Sequence, residues 1–196
     1  MLSKGKVRGL MAKKVFIIFL IVLVVGFVVI GIASNKHQKT TTKQITDIAT
    51  VNKTLVPAVF TNLHGQSISL TSYHNKKLMV YLLATWCSSC QESLQTLLSN
   101  APTLQKYGLN IVALETYGDA GYSGPSMQQF ISGITNAKSF PNNFSFGEAS
   151  QSLTSSYNPD NAPDIYYLIN PSGIIQTVNS TPSATMNSIL QFAKSA

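Results

Sequence analysis

Cys87 and Cys90 are the two cysteines of this 196-residue chain, and two serines separate them. Residues three apart share one face of a helix, so their sulfurs can meet and exchange a disulfide with a substrate. The unpaired N–H groups at a helix N-terminus stabilise an anion, which favours a thiolate on the first sulfur. We therefore expect Cys87 to be an exposed nucleophile on the first turn of a helix. Cys90, one turn deeper, is expected to resolve the mixed disulfide.

Two other roles for the pair are weaker. A zinc site would need two more ligands, and His37, His64 and His74 all precede the cysteines. A purely structural disulfide would close a loop too short to stabilise the fold much. A redox role is favoured because Trp86 directly precedes the first cysteine and the motif lies at a strand-to-helix junction. No cofactor is expected beyond a redox-active disulfide between the two cysteines.

The elements that position the cysteines follow from the hydrophobic pattern. The continuous apolar run at residues 78–84 predicts a central buried strand, followed by a helix from the cysteines to about residue 100. Strands alternating with helices indicate an α/β domain. The further strands are predicted at residues 56–60, 67–70, 110–116, 164–170 and 174–178. The further helices are predicted at residues 126–136, 148–156 and 183–193.

The N-terminal part of the chain has a different composition. Residues 15–33 read VFIIFLIVLVVGFVVIGIA, without a charge, and a helix of this length spans roughly 29 Å, close to the thickness of a bilayer core. A cleaved signal peptide is the alternative, since small residues stand at positions 31 and 33, but its apolar core is usually shorter. We predict a basic flank at residues 1–14, a single transmembrane helix at 15–33, a polar stalk at 34–55 and a folded domain at 56–196.

The net charge of +7 is concentrated at the N-terminus. Residues 1–46 carry eight Lys and Arg and no acid, whereas the remainder has a net charge of −1. A nucleic-acid-binding domain would carry its cations on the folded part, so a nucleic-acid partner is not expected. Five cations precede the apolar segment and three follow it, which predicts a cytoplasmic N-terminus and an extracytoplasmic domain. A Cys-x-x-Cys disulfide can also persist outside the cytosol.

These features resemble the thioredoxin-like superfamily, and within it the TlpA/ResA type of membrane-anchored thiol-disulfide oxidoreductase. The resemblance covers about residues 56–195, and its most specific motif is LLATWCSSC at residues 82–90. The supporting stretches are PAVF at 57–60, HGQ at 64–66, YGLNIVA at 107–113, NAP at 161–163 and YLINPSG at 167–173.

The resemblance implies a thioredoxin-like fold, with a central mixed sheet flanked by helices and an extra N-terminal β-hairpin. It also implies that Pro163 is a cis-proline facing the cysteines, with the backbone of Ala162 pairing with an extended substrate. Trp86 would support the site, and the hydroxyls of Ser88 and Ser89 could hydrogen-bond the thiolate. The implied partners are protein thiols and disulfides, and an electron donor in or at the membrane.

Two departures from the family pattern affect the chemistry. Cytosolic thioredoxins often place a buried acid six residues before the first cysteine, where it assists proton transfer, and Tyr81 stands at that position here. Glu115, at the end of a neighbouring strand, could replace it, although an exposed strand-end glutamate is the favoured interpretation. The Ser-Ser interior of the motif leaves reductase and oxidase directions open, with a reductase preferred.

Two alternative functions belong to proteins with a similar fold. A peroxiredoxin-type peroxidase needs a threonine three residues before its reactive cysteine, and Ala84 occupies that position. A copper-delivering assembly factor of the Sco type uses a CxxxC motif and a downstream histidine, but no histidine follows His74. Thiolates could still bind Cu(I).

Overall fold

The structure, a computed structural model, describes residues 47–135 and 140–195. The predicted basic flank, the predicted transmembrane helix and residues 34–46 of the predicted stalk lie outside these residues. Within the described residues, no helix is both long and apolar enough to cross a membrane.

A seven-stranded mixed sheet organises the described residues, with the strand order β2-β1-β5-β4-β3-β6-β7. β3 pairs in parallel with β4, and β4 with β5, while the other pairings are antiparallel. The antiparallel pair β1–β2 is the predicted N-terminal hairpin. The strands are β1 (Val59–Asn62), β2 (Ser67–Ser69), β3 (Lys77–Leu83), β4 (Leu109–Glu115), β5 (Phe144–Ala149), β6 (Ile165–Ile169) and β7 (Ile175–Ser180).

Helices and short 3-10 turns connect the strands. The α-helices in the described ranges are α1 (Ser88–Ser99), α2 (Ala101–Lys106), α3 (Met127–Ile134), α4 (Gln151–Tyr157) and α5 (Pro182–Lys194). The 3-10 turns are Leu70–Tyr73 and Asp119–Gly121. This architecture confirms the predicted thioredoxin-like α/β fold with a mixed sheet and flanking helices.

The hydrophobic core lies on both faces of the sheet, and β3 contributes to each face. Met79, Tyr81 and Leu83 point into one cluster, which includes residues of α1, α2, α3 and α5. Leu78 and Leu82 point into the other, together with residues of α4. A strand buried on both faces needs apolar residues at every position, which is why the 78–84 run identified it.

β5 was not predicted. The helix predicted at residues 148–156 is observed over a shorter range, as α4. β5 runs between β4 and β1, and Phe144 and Phe146 are buried there. Gly147 is required by the pairing with β1, because a Cβ at this position would lie 2.1 Å from the carbonyl oxygen of Thr61. A glycine inside a short, partly polar segment hides the strand in the sequence.

The folded domain begins earlier than the predicted boundary at residue 56. Ala49 is buried, and its N–H donates to the carbonyl of Ser156 over 2.9 Å. Further along, Thr54 forms an antiparallel bridge with Ile174. Residues 47–55 therefore belong to the domain, because their backbone pairs with it even though their side chains are mostly polar.

Candidate active site

Cys87 caps the N-terminus of α1. Its backbone is extended, with φ −85° and ψ 118°, and its sulfur accepts a hydrogen bond from the N–H of Cys90 over 3.3 Å. The Oγ of Ser89 lies 3.2 Å from the same sulfur. Cys87 therefore stands at the N-terminus of the helix, with a backbone N–H and a hydroxyl beside its sulfur.

The two sulfurs differ in their access to solvent. Cys87 is 7% exposed and Cys90 is fully buried, and both are free thiols in this structure. The expectation of an exposed Cys87 was therefore wrong, although Cys87 remains the outer of the two. Burial raises the pKa of the Cys90 thiol strongly, and its hydrogen bond with Cys87 and the negative charge of Asp164 raise it further. Cys90 therefore needs help to lose its proton.

The turn before Cys87 is held by a loop centred on Asp119. The buried carboxylate of Asp119 accepts from the backbone N–H of Thr85 over 2.7 Å and from its hydroxyl over 2.9 Å. The indole Nε1 of Trp86 donates to the Asp119 carbonyl over 2.7 Å. Asp119 thus fixes the two residues that precede the nucleophile. Asp119 was not predicted from the sequence, because it lies 32 positions after Cys87 in an irregular loop.

Aromatic side chains surround the opening of the site. Trp86 is 41% exposed and packs edge-on against Tyr122, with 5.0 Å between ring centroids. Tyr117 and Tyr122, in the Asp119 loop and just after it, are exposed as well. Ser88 is exposed on the first turn of α1. A substrate approaching Cys87 would thus meet an aromatic and hydroxyl surface.

The loop before β6 differs from the prediction. No described peptide bond is cis, so the bond between Ala162 and Pro163 is trans. Asn158 binds the Ala162 backbone at both polar groups, accepting from its N–H over 2.9 Å and donating to its carbonyl over 2.8 Å. Asn161 and Asp164, on either side of these two residues, adopt left-handed conformations. The Ala162 N–H is therefore engaged within the chain instead of being free for substrate.

Asp164 is a second residue of the site that was not predicted from the sequence. Its carboxylate is buried and accepts from the hydroxyl of Tyr81 over 2.6 Å and from that of Ser93 over 3.3 Å. The Tyr81 oxygen also lies 3.3 Å from the carbonyl oxygen of Cys90. A signal was present in the sequence, since an acid directly follows Pro163 at the start of an otherwise apolar strand.

Glu115 is half-buried, which corrects the favoured interpretation of an exposed strand-end residue. Burial raises its pKa to about 7, with further contributions from the charges of Asp119 and Glu148. The N–H of Met127 opposes this shift. Glu115 thus interacts with the charge of Asp119, whereas Asp164 is the acid that interacts with the Cys90 thiol.

Within residues 47–135 and 140–195, no group of three or more His, Cys, Asp or Glu side chains is placed to hold a metal ion. The chemistry that the described side chains can perform is thiol-disulfide exchange, with a shielded outer sulfur, a buried inner sulfur and a buried carboxylate behind it.

Comparison with known proteins identifies the family of this chain. The chain belongs to the AhpC/TSA family, whose model matches residues 51–178. Among curated proteins, no sequence matches the chain significantly.

Solved structures with the same fold include thiol-disulfide oxidoreductases. A putative thiol:disulfide interchange protein DsbE from Chlorobium tepidum superposes with a TM-score of 0.56 at 14% identity, over 74% of this chain and 99% of that one. The thioredoxin domain of a Bacteroides vulgatus thiol-disulfide oxidoreductase gives a TM-score of 0.56 at 16% identity, over 72% and 98%. Copper-bound Sco1 of yeast gives 0.52 at 15% identity, over 74% and 95%. These similarities establish the thioredoxin-like fold.

Proposed function

We propose that this protein is a membrane-anchored, extracytoplasmic thiol-disulfide oxidoreductase that reduces disulfides of other proteins. The observation that carries the proposal is the geometry of α1: Cys87 caps the helix, its sulfur accepts the Cys90 N–H, and Cys90 is fully buried beneath it. Only the outer sulfur can reach a substrate disulfide, which assigns a separate step to each cysteine.

The reaction has two steps. The Cys87 thiolate attacks one sulfur of the substrate disulfide, forms a mixed disulfide and releases the other substrate sulfur as a thiolate. Cys90 then loses its proton and attacks the Cys87 sulfur, which releases the second substrate thiolate and leaves a Cys87–Cys90 disulfide. Two electrons pass to the substrate. A donor in or at the membrane must then reduce the Cys87–Cys90 disulfide again.

The anchor and its orientation are supported by the sequence. Residues 15–33 are apolar and uncharged, and the cations on either side favour a cytoplasmic N-terminus. We expect the domain to be degraded when protease is added to intact spheroplasts expressing the full chain. Protection in spheroplasts, with degradation only after lysis, would contradict this orientation. Release of the chain into the medium would instead indicate a cleaved signal peptide.

Trapping tests the assignment of the cysteines. The Cys90→Ser variant should accumulate mixed disulfides with substrate proteins, visible as bands that disappear on reduction, because the resolving sulfur is absent. Cys87→Ser should give none and should lower disulfide exchange at least a hundredfold, since this substitution removes the nucleophile. Exchange that survives in Cys87→Ser would contradict the proposal.

The reduction potential tests the direction. A potential near that of thioredoxin, about −270 mV, fits a reductant, whereas one near about −120 mV fits a DsbA-like oxidant. Titration of the full chain against glutathione or dithiothreitol buffers gives this value. A strongly oxidising potential would replace the reductase assignment by an oxidase.

Copper delivery is the second candidate, because structures of Sco proteins share the fold. The Cys87–Cys90 pair could bind Cu(I) through two soft thiolates. Retention of one copper per chain after gel filtration, lost in Cys87→Ser, would favour this role. A peroxidase role, the third candidate, would be favoured by consumption of hydrogen peroxide by the reduced protein.

A further inference from the structure

Asp164 is a carboxylate that the two-step mechanism above does not use. It is 3% exposed, and its two hydrogen-bond donors, Tyr81 and Ser93, are both neutral. Burying a carboxylate without a cation costs free energy, because the charge loses its hydration. A costly group in this position calls for a reason beyond packing.

Several elements converge to hold this carboxylate. Tyr81 comes from β3 and Ser93 from α1, and the Ser93 hydroxyl accepts from the N–H of Ser183 at the start of α5 over 3.3 Å. The N–H of Thr181, between β7 and α5, donates to the Asp164 carbonyl over 2.8 Å. Asp164 itself has a φ of 69°, in the left-handed region. The carboxylate is therefore held by β3 and α1, and the backbone of Asp164 by the segment that precedes α5.

The carboxylate lies against the helix that carries the cysteines and interacts electrostatically with Cys90. Ser93 follows Cys90 by three residues, so the two side chains share one face of α1. The Tyr81 oxygen joins the two ends of the arrangement, 2.6 Å from Asp164 and 3.3 Å from the Cys90 carbonyl. The titratable groups that interact with Asp164 are Tyr81 from β3 and Cys90 from α1. The junction of β7 and α5 contributes a backbone N–H and the neutral Ser183.

We propose that the Asp164 carboxylate accepts the proton of the Cys90 thiol when Cys90 attacks the mixed disulfide, an inference that rests on the proposed function. Tyr81 acts as a positioning residue that holds the carboxylate. The S–H bond of Cys90 breaks, its proton passes to Asp164, and the electron pair left on sulfur forms the Cys87–Cys90 bond. The substrate leaves as a thiolate, and Asp164 later gives its proton to the departing thiolate or to water.

The thiol itself shows why an acceptor is needed. Burial raises the pKa of Cys90, and Tyr81 cannot serve as the base because burial raises its pKa as well. Asp164 also has a simpler, purely electrostatic effect, since its charge disfavours a thiolate on Cys90. The two roles give opposite outcomes when the charge is removed: loss of a proton acceptor slows the second step, whereas loss of a repelling charge speeds it.

The test is a two-phase reaction of the reduced, detergent-solubilised full chain with the disulfide 5,5′-dithiobis(2-nitrobenzoate). The first nitrothiobenzoate is released when Cys87 attacks, and the second when Cys90 resolves the mixed disulfide. In Asp164→Asn, the second phase should be roughly a hundredfold slower at pH 7, the lower end of the effect of a general base. Its rate should then rise about tenfold per pH unit, since the thiolate must form in water.

Matched variants separate a chemical effect from a structural one. Asparagine accepts the left-handed conformation of residue 164 and retains an acceptor for the Tyr81 hydroxyl, so the fold should persist. Asp160→Asn removes an exposed acid from the same loop and should leave both phases unchanged. Tyr81→Phe should slow the second phase less than Asp164→Asn, with an unchanged first phase.

The outcomes distinguish the two proposals. A second phase in Asp164→Asn that is as fast as the wild type, or faster, at every pH would overturn the role of Asp164 and leave the oxidoreductase intact. If Asp164→Asn does not fold, an unchanged second phase in Tyr81→Phe would overturn it. A wild-type chain that releases no second nitrothiobenzoate would overturn the exchange mechanism itself.

Discussion

Two cysteines of the same chemical type acquire different roles because their surroundings differ. Cys87 has the N–H of Cys90 and the Ser89 hydroxyl beside its sulfur, whereas Cys90 is fully buried among apolar groups. Donors favour a thiolate, and burial opposes it. The spacing of the cysteines predicted this order, since the deeper residue of a helix turn is the less accessible one.

Gly124 allows a close approach between the Asp119 loop and the turn before Cys87. A Cβ at this position would lie 2.2 Å from the Thr85 hydroxyl oxygen, 2.7 Å from the Asp119 carboxylate and 2.8 Å from the backbone nitrogen of Trp86. These atoms hold the turn, so they cannot move away without breaking hydrogen bonds. Gly124 is therefore part of how the site is positioned.

We expect Gly124→Ala to lower the free energy of unfolding by about 1–3 kcal/mol, the cost of forcing a methyl group into an occupied space. It should also slow the attack by Cys87, because the turn that carries the nucleophile is displaced. Denaturant unfolding and the first phase of the exchange reaction measure the two effects.

Gly133→Ala is the control, because a Cβ there meets no atom within 4 Å and the residue lies in α3. Alanine is favoured in a helix, so this change should stabilise the protein by up to about 1 kcal/mol and leave the exchange rate unchanged. Equal behaviour of the two alanine variants would contradict the close approach at Gly124.

At the scale of the elements, the carboxyl ends of β4 and β5 bring acids together. Glu115 and Glu148 are register partners on these neighbouring parallel strands, and Asp119 follows β4 closely in the chain. Like charges on adjacent strands raise each other's cost of ionisation. Burial is the main cause of the raised pKa of Glu115, and the charges of Asp119 and Glu148, which the strand pairing brings near, raise it further.

The stability of the wild type should fall as pH rises through the pKa of Glu115. The pKa of this group is about 7 in the folded state against an ordinary value of 4.5. The stability that protonated Glu115 gives the folded state is therefore fully present below about pH 4.5 and is lost as the pH rises through about 7. The free energy of unfolding of Glu115→Gln, measured relative to the wild type, should therefore be higher at pH 8 than at pH 4. About 1–2 kcal/mol is expected after allowing for solvent at a half-buried group.

Denaturant unfolding of both proteins from pH 4 to pH 8 measures this difference. Glu92→Gln removes an exposed acid from α1 and should show no such change with pH. A constant difference between Glu115→Gln and the wild type across the range would show that Glu115 titrates normally.

At the scale of the whole molecule, the residues before β1 belong to the domain. Ala49 is 3% exposed and joins the cluster on the α4 face of the sheet, whereas the neighbouring Ile48 is 46% exposed. Hydrophobicity alone would assign these two residues the opposite environments. The position of Ala49 is set by its N–H bond to Ser156, which draws the small side chain inward.

Ala49→Asp should lower the free energy of unfolding by about 2 kcal/mol or more, because a carboxylate would replace a methyl group in the core. Ile48→Asp should change it by less than about 0.5 kcal/mol, as expected for an exposed position. Thermal or denaturant unfolding of the two variants provides the comparison. A larger loss from Ile48→Asp would contradict the placement of this segment.

The sequence by itself determined the features that depend on local spacing and continuous hydrophobicity. The strand β3, the helix that begins at the cysteines and the N-terminal hairpin all follow from patterns within about ten residues. The positions of Cys87 and Cys90 at the start of α1 follow in the same way. Such patterns are readable because helix and strand periodicity is a property of the chain itself.

Only the tertiary structure decided which distant groups surround the cysteines. Asp119 lies 32 residues after Cys87 and Asp164 lies 74 residues after Cys90, and no motif links either acid to the cysteines. β5 and residues 47–55 acquire their places from hydrogen bonds with remote strands and helices. The physical reason is that burial and pairing are properties of the folded chain, and they alone turn an ordinary aspartate into a buried carboxylate behind a thiol.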